Sequence, residues 1–389
     1  MAYDIDRVRA AYPALAEGFA HFDGAGGTLV AAPVAEAVAG TLRTAVSNRG
    51  TAFEPARRSG AIVAAARQAV ADLVGGTADG VVFGPSATAL TYLVARTLGA
   101  GWQPGDEVVV SRLDHDANVR PWIQAAAAAG ATVRWAEFDP VTGDLPAGQY
   151  AELIGARTKL VAVTGASNAI GTVPRVREIA DRAHAAGARV YVDGVHATAH
   201  LPVDVVALGA DFYTTSAYKW AGPHIAAVVA GPATWEPLAP AKLIPSPDYA
   251  PDRFEFGTLS FELLAGVTAA VDHLATLDPD ASGDRRARVL AGMSAAAAYE
   301  KTLLDRLLKG LPEVAVPLPA SEQRCPTVSF RVDGQAPGET ARALGDRGVC
   351  VSSGDYYAYE YFRGGGAVRA SISHYNTAAE VDRLLELLG

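Results

Sequence analysis

Short segments that are apolar throughout alternate along most of the chain with longer segments of helical periodicity. Strands of this kind, rich in β-branched residues and separated by helices, are typical of a mostly parallel sheet covered on both faces. The predicted strands are 81–83, 108–110, 132–135, 160–164, 190–192, 212–215 and 226–229, and the predicted helices between them are 88–98, 118–129 and 175–186. We therefore predict an α/β domain with a mostly parallel seven-stranded sheet, whose ligands bind outside the carboxyl ends of the strands.

The pattern changes in the last third of the chain. A predicted helix at 259–276 is followed by a turn-rich break at 277–284. Beyond it we predict a helix at 285–308, strands at 327–332, 349–351 and 368–373, and a final helix at 378–388. This order is typical of a smaller α+β domain. We predict a large domain of residues 20–275 and a small domain of residues 276–389, on which the N-terminal segment 1–19 packs.

Composition limits the classes of partner. The 389 residues carry a net charge of −9, which argues against general affinity for nucleic acid or for anionic membrane surfaces. No apolar run approaches the roughly 18 residues that a membrane span requires. The two cysteines, Cys325 and Cys350, suggest no disulfide framework and fit a reducing compartment. We expect a cytoplasmic protein with no nucleic-acid partner, no membrane partner and no metal site.

Lysine is scarce in this chain, and Lys219 lies in an unusual place. It follows the segment Phe212-Tyr213-Thr214-Thr215-Ser216-Ala217-Tyr218 and precedes Trp220, so aromatic and apolar residues surround it. A buried lysine loses its proton readily and can become an amine nucleophile, as Schiff-base enzymes require. The alternative is a lysine at a strand end whose stem packs while its head reaches water.

Four further polar residues lie at predicted strand ends or helix starts. Thr88 could hold a phosphate at a helix N-terminus, or it or its neighbour Ser86 could cap the helix. His115 could stack on a flat cofactor or be a structural loop histidine. Asn168 could bind a ligand oxygen or stabilise its own turn. Asp193 ends a very apolar strand, where it could pair with a protonated pyridine nitrogen or cap a helix.

These residues become informative as a set. His115, Asn168, Asp193, His196 and Lys219 follow successive strand ends, and the strongest motifs are Val192-Asp193-Gly194-Val195-His196 and Ser216-Ala217-Tyr218-Lys219 with Gly222-Pro223. The arrangement resembles the class V aminotransferase family of pyridoxal-phosphate enzymes, in particular its cysteine-desulfurase-like group, with its isopenicillin N epimerase-like and C–S lyase-like members. The resemblance covers nearly the whole chain, from His21 to Thr377. It implies the fold-type I architecture and pyridoxal 5′-phosphate as cofactor.

The resemblance also implies a role for each matching position. Lys219 would hold the cofactor as a Schiff base and act in catalysis. Asp193 would keep the pyridine nitrogen protonated, and His115 would stack on the ring. Asn168 and His196 would approach the phenolic oxygen of the ring. The phosphate would be held by Ala87, Thr88, Ser216 and Tyr218. Arg369 would pair with the substrate carboxylate, a task that the planar guanidinium suits. Ala25 and Tyr357 are assigned to the substrate pocket.

A homodimer with shared active sites is implied as well. In the family, the segment matching Gly257 and Thr258 reaches the phosphate of the neighbouring subunit, and Asn48 with Arg49 would border the pocket of the partner. The resemblance implies an amino acid as the small-molecule substrate.

Two departures separate this sequence from the desulfurases. Tyr357 occupies the position of their nucleophilic cysteine, while Cys350 lies inside an apolar run and Cys325 precedes a proline with no flanking base. Persulfide formation therefore lacks its nucleophile. Tyr218 stands where desulfurases usually place a histidine, and a phenol is less able to transfer protons at neutral pH.

We therefore predict an enzyme that acts on an α-amino acid, with β-elimination, including C–S cleavage of a cysteine-type substrate or conjugate, as the favoured reaction. Epimerisation, transamination and decarboxylative or oxidative deamination stay open on the same scaffold, and desulfuration is less favoured. The alternative outside enzymes is an inactive protein that only binds the cofactor. The tyrosines at 356, 357, 359 and 361 could line a pocket for a larger substrate or pack at a domain edge.

Overall fold

A computed structural model describes residues 3–389, and its strands form three sheets. The strands are β1 Ala20–His21, β2 Val81–Gly84, β3 Glu107–Ser111, β4 Thr132–Ala136, β5 Thr158–Thr164, β6 Arg189–Asp193, β7 Phe212–Ser216, β8 Ala226–Ala230, β9 Ala315–Pro317, β10 Thr327–Val332, β11 Val349–Cys350, β12 Ser352–Gly354 and β13 Ala367–Ser371. All seven strands predicted for the large sheet are present.

Helices connect most of these strands. They are α1 Ile5–Ala10, α2 Ala32–Leu42, α3 Glu54–Val74, α4 Ala87–Gly99, α5 Arg120–Ala129, α6 Tyr150–Leu153, α7 Val176–Ala185, α8 Ala197–His200, α9 Val205–Leu208, α10 Pro232–Trp235, α11 Phe261–Leu274, α12 Arg285–Gly310, α13 Pro337–Gly345, α14 Tyr359–Phe362 and α15 Ala378–Leu388. The sequence pattern did not predict α2, α3 or α13. It placed the start of α5 too early, because 116–118 is a 3-10 turn that precedes the helix.

The large sheet has the order β2-β8-β7-β6-β5-β3-β4. β8 runs antiparallel to both neighbours, and all the other pairs are parallel. Because successive side chains of a strand point to opposite faces, Val192 joins the apolar core on one side and Tyr191 joins the core on the other. This is the predicted fold-type I architecture, with a mostly parallel sheet inside an α/β structure.

A smaller four-stranded antiparallel sheet, in the order β12-β13-β10-β9, packs against α12 and α15. The strand predicted at 349–351 is present as β11, one residue shorter, and it pairs with β1. The sequence pattern did not predict β12, which follows it and belongs to the four-stranded sheet. The N-terminal segment contacts this region through Arg9, which donates to Glu380. The division at residues 275 and 276 into two domains stays a prediction. Within residues 3–389, no helix is long and apolar enough to cross a membrane.

Candidate active site

The carboxyl ends of β3, β5, β6 and β7 meet at one edge of the large sheet and border a cavity of about 850 Å³. The parallel strands bring the residues that follow them together, as the sequence predicted. The predicted site residues that line this cavity are Ala25, Ala87, Thr88, His115, Asn168, Asp193, His196, Ser216, Tyr218, Lys219, Tyr357 and Arg369.

Lys219 lies in the short turn directly after β7 and is buried in the cavity wall. Its Nζ donates a hydrogen bond to the Ala25 carbonyl and lies 4.7 Å from the ring centroid of Tyr218. Burial, and next the positive charge of Arg369, lower the pKa of Lys219 to about 7. The head group therefore does not extend into bulk water, and a large fraction of it is a neutral amine at physiological pH.

Asp193 is the last residue of β6, and Gly194 lets the chain turn sharply after it. A Cβ at position 194 would lie 1.9 Å from Cζ of Tyr213, so no larger residue fits without displacing that ring. The Val195 N–H donates to Oδ1 of Asp193 at 3.0 Å. Burial raises the pKa of Asp193 to about 6, and Lys219 partly opposes that rise. A carboxylate held in this way favours a cationic group in the cavity.

His115 follows β3 at the start of a 3-10 turn. Its Nδ1 accepts a hydrogen bond from the Ala117 N–H at 3.0 Å. Burial, and next the charge of Lys219, lower the pKa of His115 to about 4, so the imidazole is neutral near pH 7. A neutral imidazole that accepts at Nδ1 carries its proton on Nε2. The ring of Tyr357 lies 5.5 Å from this imidazole at an interplanar angle of 30°.

Asn168 and Arg369 meet on another wall of the cavity. Nη1 of Arg369 donates to the Asn168 carbonyl at 2.9 Å, Nη2 donates to Asp23 at 3.3 Å, and the guanidinium carbon lies 4.2 Å from the Tyr356 ring centroid. Nδ2 of Asn168 donates to the Tyr356 carbonyl at 2.9 Å. The buried Oδ1 of Asn168 has no hydrogen-bond partner among residues 3–389, so it can accept a hydrogen bond from a bound molecule.

Two of the predicted phosphate-binding residues, Ala87 and Thr88, begin α4, and the other two, Ser216 and Tyr218, line the same cavity. Ser86 caps this helix by accepting from the Ala89 N–H. The N–H groups of Ala87 and Thr88, in the first turn, have no acceptor within the helix and can bind an anion there.

His196 also lines the cavity. Its Nε2 lies 3.0 Å from the hydroxyl oxygen of Thr327, which fixes its ring at the cavity wall.

Three predicted site residues lie outside the cavity. Gly257 and Thr258 are exposed, and the Thr258 hydroxyl donates to Asn48 at 3.4 Å. The two cysteines are also outside its lining. Burial raises the pKa of both thiols, and Cys325 is inside the core while Cys350 is half-buried.

The structure adds lining residues that the sequence did not indicate. Tyr92, Asp116, Arg120 and Asp355 border the cavity. Tyr92 is the one that the sequence could have revealed, because it lies one helical turn after Thr88 and therefore on the same face of α4. Asp116 lies in a 3-10 turn, Asp355 lies in a loop and Arg120 is the first residue of α5, so no periodic pattern indicates where these side chains point.

Comparison with known proteins agrees with this geometry. The sequence profile of the Aminotransferase class-V family matches residues 20–384. The chain belongs to this family. An uncharacterised protein of Mycobacterium tuberculosis is 39% identical, and the match covers 100% of this chain and 99% of that protein. A cysteine desulfurase of Serratia proteamaculans is 30% identical over 99% of this chain and 97% of its own length.

The folds agree as well. The apo structure of a cysteine desulfurase from Thermococcus onnurineus superposes with a TM-score of 0.89 at 26% identity, covering 100% of this chain and 98% of the other. The cofactor of this class V enzyme is pyridoxal 5′-phosphate. The cavity fits that group, since it offers a buried amine, a buried carboxylate, an unpaired amide oxygen and the N-terminus of a helix. When bound, the cofactor supplies a cationic ring that stabilises negative charge at Cα of an amino acid.

Proposed function

We propose that this PLP-dependent enzyme catalyses β-elimination from an α-amino acid, with C–S cleavage of a cysteine-type substrate or cysteine conjugate as the favoured case. The observation that carries the proposal is the set of groups at the cavity wall. It contains an amine poised to transfer a proton, Lys219, but none of the lining residues carries a thiol. An amino acid whose own Cβ substituent leaves needs no protein nucleophile.

Each residue has a defined task in this proposal. The guanidinium of Arg369 binds the substrate carboxylate and thereby decides which bond at Cα faces the base. Nζ of Lys219, about half neutral near pH 7, removes the Cα proton. The carboxylate of Asp193 would hold the cofactor's pyridine nitrogen in its protonated, cationic form. The bond from Cβ to its sulfur substituent breaks, and the substituent leaves as a thiol with the proton taken from Cα. Water then hydrolyses the released 2-aminoacrylate to pyruvate and ammonia.

His115 argues against epimerisation. Reprotonation at the second face of Cα would need an acid–base group opposite Lys219. The Nδ1 of His115 already accepts from Ala117, and its low pKa keeps the ring neutral, so it does not pick up the proton that it would have to donate. It is better suited to donate a hydrogen bond from Nε2 and to stack on the bound ring.

The test is a product panel on purified protein. β-Elimination predicts stoichiometric pyruvate and ammonia from S-substituted cysteines and from β-chloroalanine, without added keto acid. Lys219→Ala should abolish both these products and the borohydride-reducible adduct of the cofactor. Loss of chirality without pyruvate would indicate epimerisation, dependence on a keto acid would indicate transamination, and CO2 release would indicate decarboxylation. A colourless protein that fails to bind added pyridoxal phosphate would end the enzyme hypothesis.

The shared-site homodimer is part of the same proposal. Large apolar side chains are exposed in the segment that leads to Gly257 and Thr258, namely Leu243 at 72%, Ile244 at 98% and Phe256 at 55%. Exposed apolar side chains concentrated in one segment are typical of a protein interface. Ile244→Asp should convert a dimer to a monomer in light-scattering measurements, while Val141→Asp, at a residue that is 79% exposed and not in this segment, serves as the control. A wild-type protein that is monomeric would contradict the proposal.

A further inference from the structure

Residues 354–362, here called the tyrosine wall, form one side of the cavity. Gly354, Asp355, Tyr356 and Tyr357 line it directly, and the short helix α14 follows. The wall departs from ordinary loop geometry, since Tyr356 and Tyr357 both have left-handed backbone conformations, at φ 53° and 57°. Side chains with a Cβ rarely adopt this region, so surrounding contacts must hold the segment in place.

The backbone of the wall supports two residues of the active site. The Tyr356 carbonyl accepts from Nδ2 of Asn168 at 2.9 Å, and the Tyr357 carbonyl accepts from the Asp116 N–H at 2.7 Å. Asp116 follows His115 directly. The position of the wall therefore determines where Asn168 points and how the turn that carries His115 is held.

One buried carboxylate fastens the wall to the segment that follows β3 of the large sheet. Glu360, in α14, accepts from Nη1 of Arg112 at 2.7 Å and from Nη2 of Arg120. Its side chain is only 11% exposed, so water screens these ion pairs weakly. Arg112 follows β3 and Arg120 begins α5, so the two arginines flank the turn that carries His115. The carboxylate thus joins the wall to a second segment that also lines the cavity.

A matched pair of carboxylates surrounds Arg112. Its Nε donates to Glu137 at 2.7 Å, but the Glu137 side chain is 60% exposed and forms no hydrogen bond or ion pair with residues 354–362. An exposed ion pair contributes little to stability, whereas a buried charge left without its partner is costly. We therefore expect the Glu360 pair to stabilise the wall and the Glu137 pair to contribute little. Replacing each carboxylate in turn separates the loss of the contact with the wall from the loss of a partner of Arg112.

We propose that Glu360 is a positioning residue: its ion pairs with Arg112 and Arg120 hold the tyrosine wall against the β3–α5 connection, and so set the orientation of His115 and Asn168 and the width of the substrate entrance. The proposal concerns the shape of the cavity, and it does not depend on β-elimination being the reaction. Glu360 acts through the wall and does not touch the substrate.

The test compares Glu360→Gln with Glu137→Gln by hydrogen–deuterium exchange of the holoenzyme. A hydrogen bond between charged groups contributes about 1.5–3 kcal/mol, which corresponds to about tenfold or more in a local opening equilibrium. We expect peptides that cover 354–363 and 115–118 to exchange about tenfold faster in Glu360→Gln and to be unchanged in Glu137→Gln. The affinity for pyridoxal phosphate should fall in the first variant only.

Kinetics distinguish positioning from a general loss of stability. Glu360→Gln should raise KM for a bulky substrate more than it lowers kcat, with global unfolding transitions close to those of Glu137→Gln. If Glu360→Gln does not fold, Arg120→Gln removes one of the two ion pairs of Glu360. This variant should accelerate exchange in the same peptides, by a smaller factor. Unchanged exchange of the wall in the folded variant, or an equal change in both carboxylate variants, would overturn the proposal.

Discussion

The pKa of Lys219 gives the sharpest test of how the cavity works. A lysine with the ordinary pKa of about 10.4 is neutral in only about 0.04% of molecules at pH 7, whereas a lysine with a pKa near 7 is neutral in about half of them. The cavity therefore raises the neutral fraction of this amine by about a thousandfold. Burial contributes most to that change and the charge of Arg369 contributes next.

Two substitutions should move this pKa in opposite directions. Arg369 lowers the pKa of Lys219, so Arg369→Gln should raise it, and Asp193 raises that pKa, so Asp193→Asn should lower it. The measurement is competitive acetylation of protein stripped of cofactor, followed by mass spectrometry across a pH series. Lys301, which is exposed, reports the pH dependence of the reagent in the same samples.

We expect acetylation of Lys219 to rise with a midpoint near pH 7 in the unsubstituted protein. The midpoint should lie at higher pH in Arg369→Gln and at lower pH in Asp193→Asn. A midpoint near pH 10 would refute the claim that the cavity excludes water around Nζ. Shifts of the Lys219 midpoint in the same direction for both variants would refute the claim that neighbouring charges, after burial, set the pKa of Lys219.

Three further predictions concern packing and chemistry. Gly194→Ala places a Cβ against the ring of Tyr213 and should destabilise the fold by about 1–3 kcal/mol in urea unfolding, and a neutral effect would contradict the close approach. Tyr12→Phe leaves the buried His273 and His374 nitrogens without their 2.9 Å and 2.6 Å partner and should also cost about 1–3 kcal/mol. Cys350→Ala should leave pyruvate formation unchanged, because this thiol is outside the cavity, and loss of activity would restore a role for a cysteine.

The large sheet was predictable because its strands are uniformly apolar. β6 is buried along nearly its whole length, so the pattern could arise only from a strand covered on both faces. The helix α3 escaped prediction although it is long, because its first turns carry Arg57, Arg58 and Gly60 and four of its nine buried residues are alanine. β1 and β9 have two and three residues, and pairing with distant strands, rather than any local pattern, makes them strands.

The site was predictable where residues follow parallel strands, because the sheet itself brings those ends together. No comparable rule predicts from the sequence where the tyrosine wall lies. Glu360 and Arg120 are 240 residues apart in the chain. Each lies in the first turn of a helix, and helical periodicity does not indicate a partner so distant in sequence. The hydrogen bond at Nδ1 that fixes the proton of His115 on Nε2 is local, but it depends on a turn conformation that the sequence pattern does not specify.

Arg369 shows why a residue assigned by resemblance still needs a structure. Its guanidinium already binds the Asn168 carbonyl through Nη1 and Asp23 through Nη2, while Nε has no partner among the described residues. In the proposed role, a substrate carboxylate that binds side-on would take Nε and one proton of Nη2, since Nη1 is held by the Asn168 carbonyl at 2.9 Å. Nη2 is held more weakly, because it donates to Asp23 at 3.3 Å and to the Ser352 hydroxyl at 3.4 Å. Carboxylate recognition by Arg369 would therefore replace one or both of these contacts, and the substrate would have to compete with Asp23.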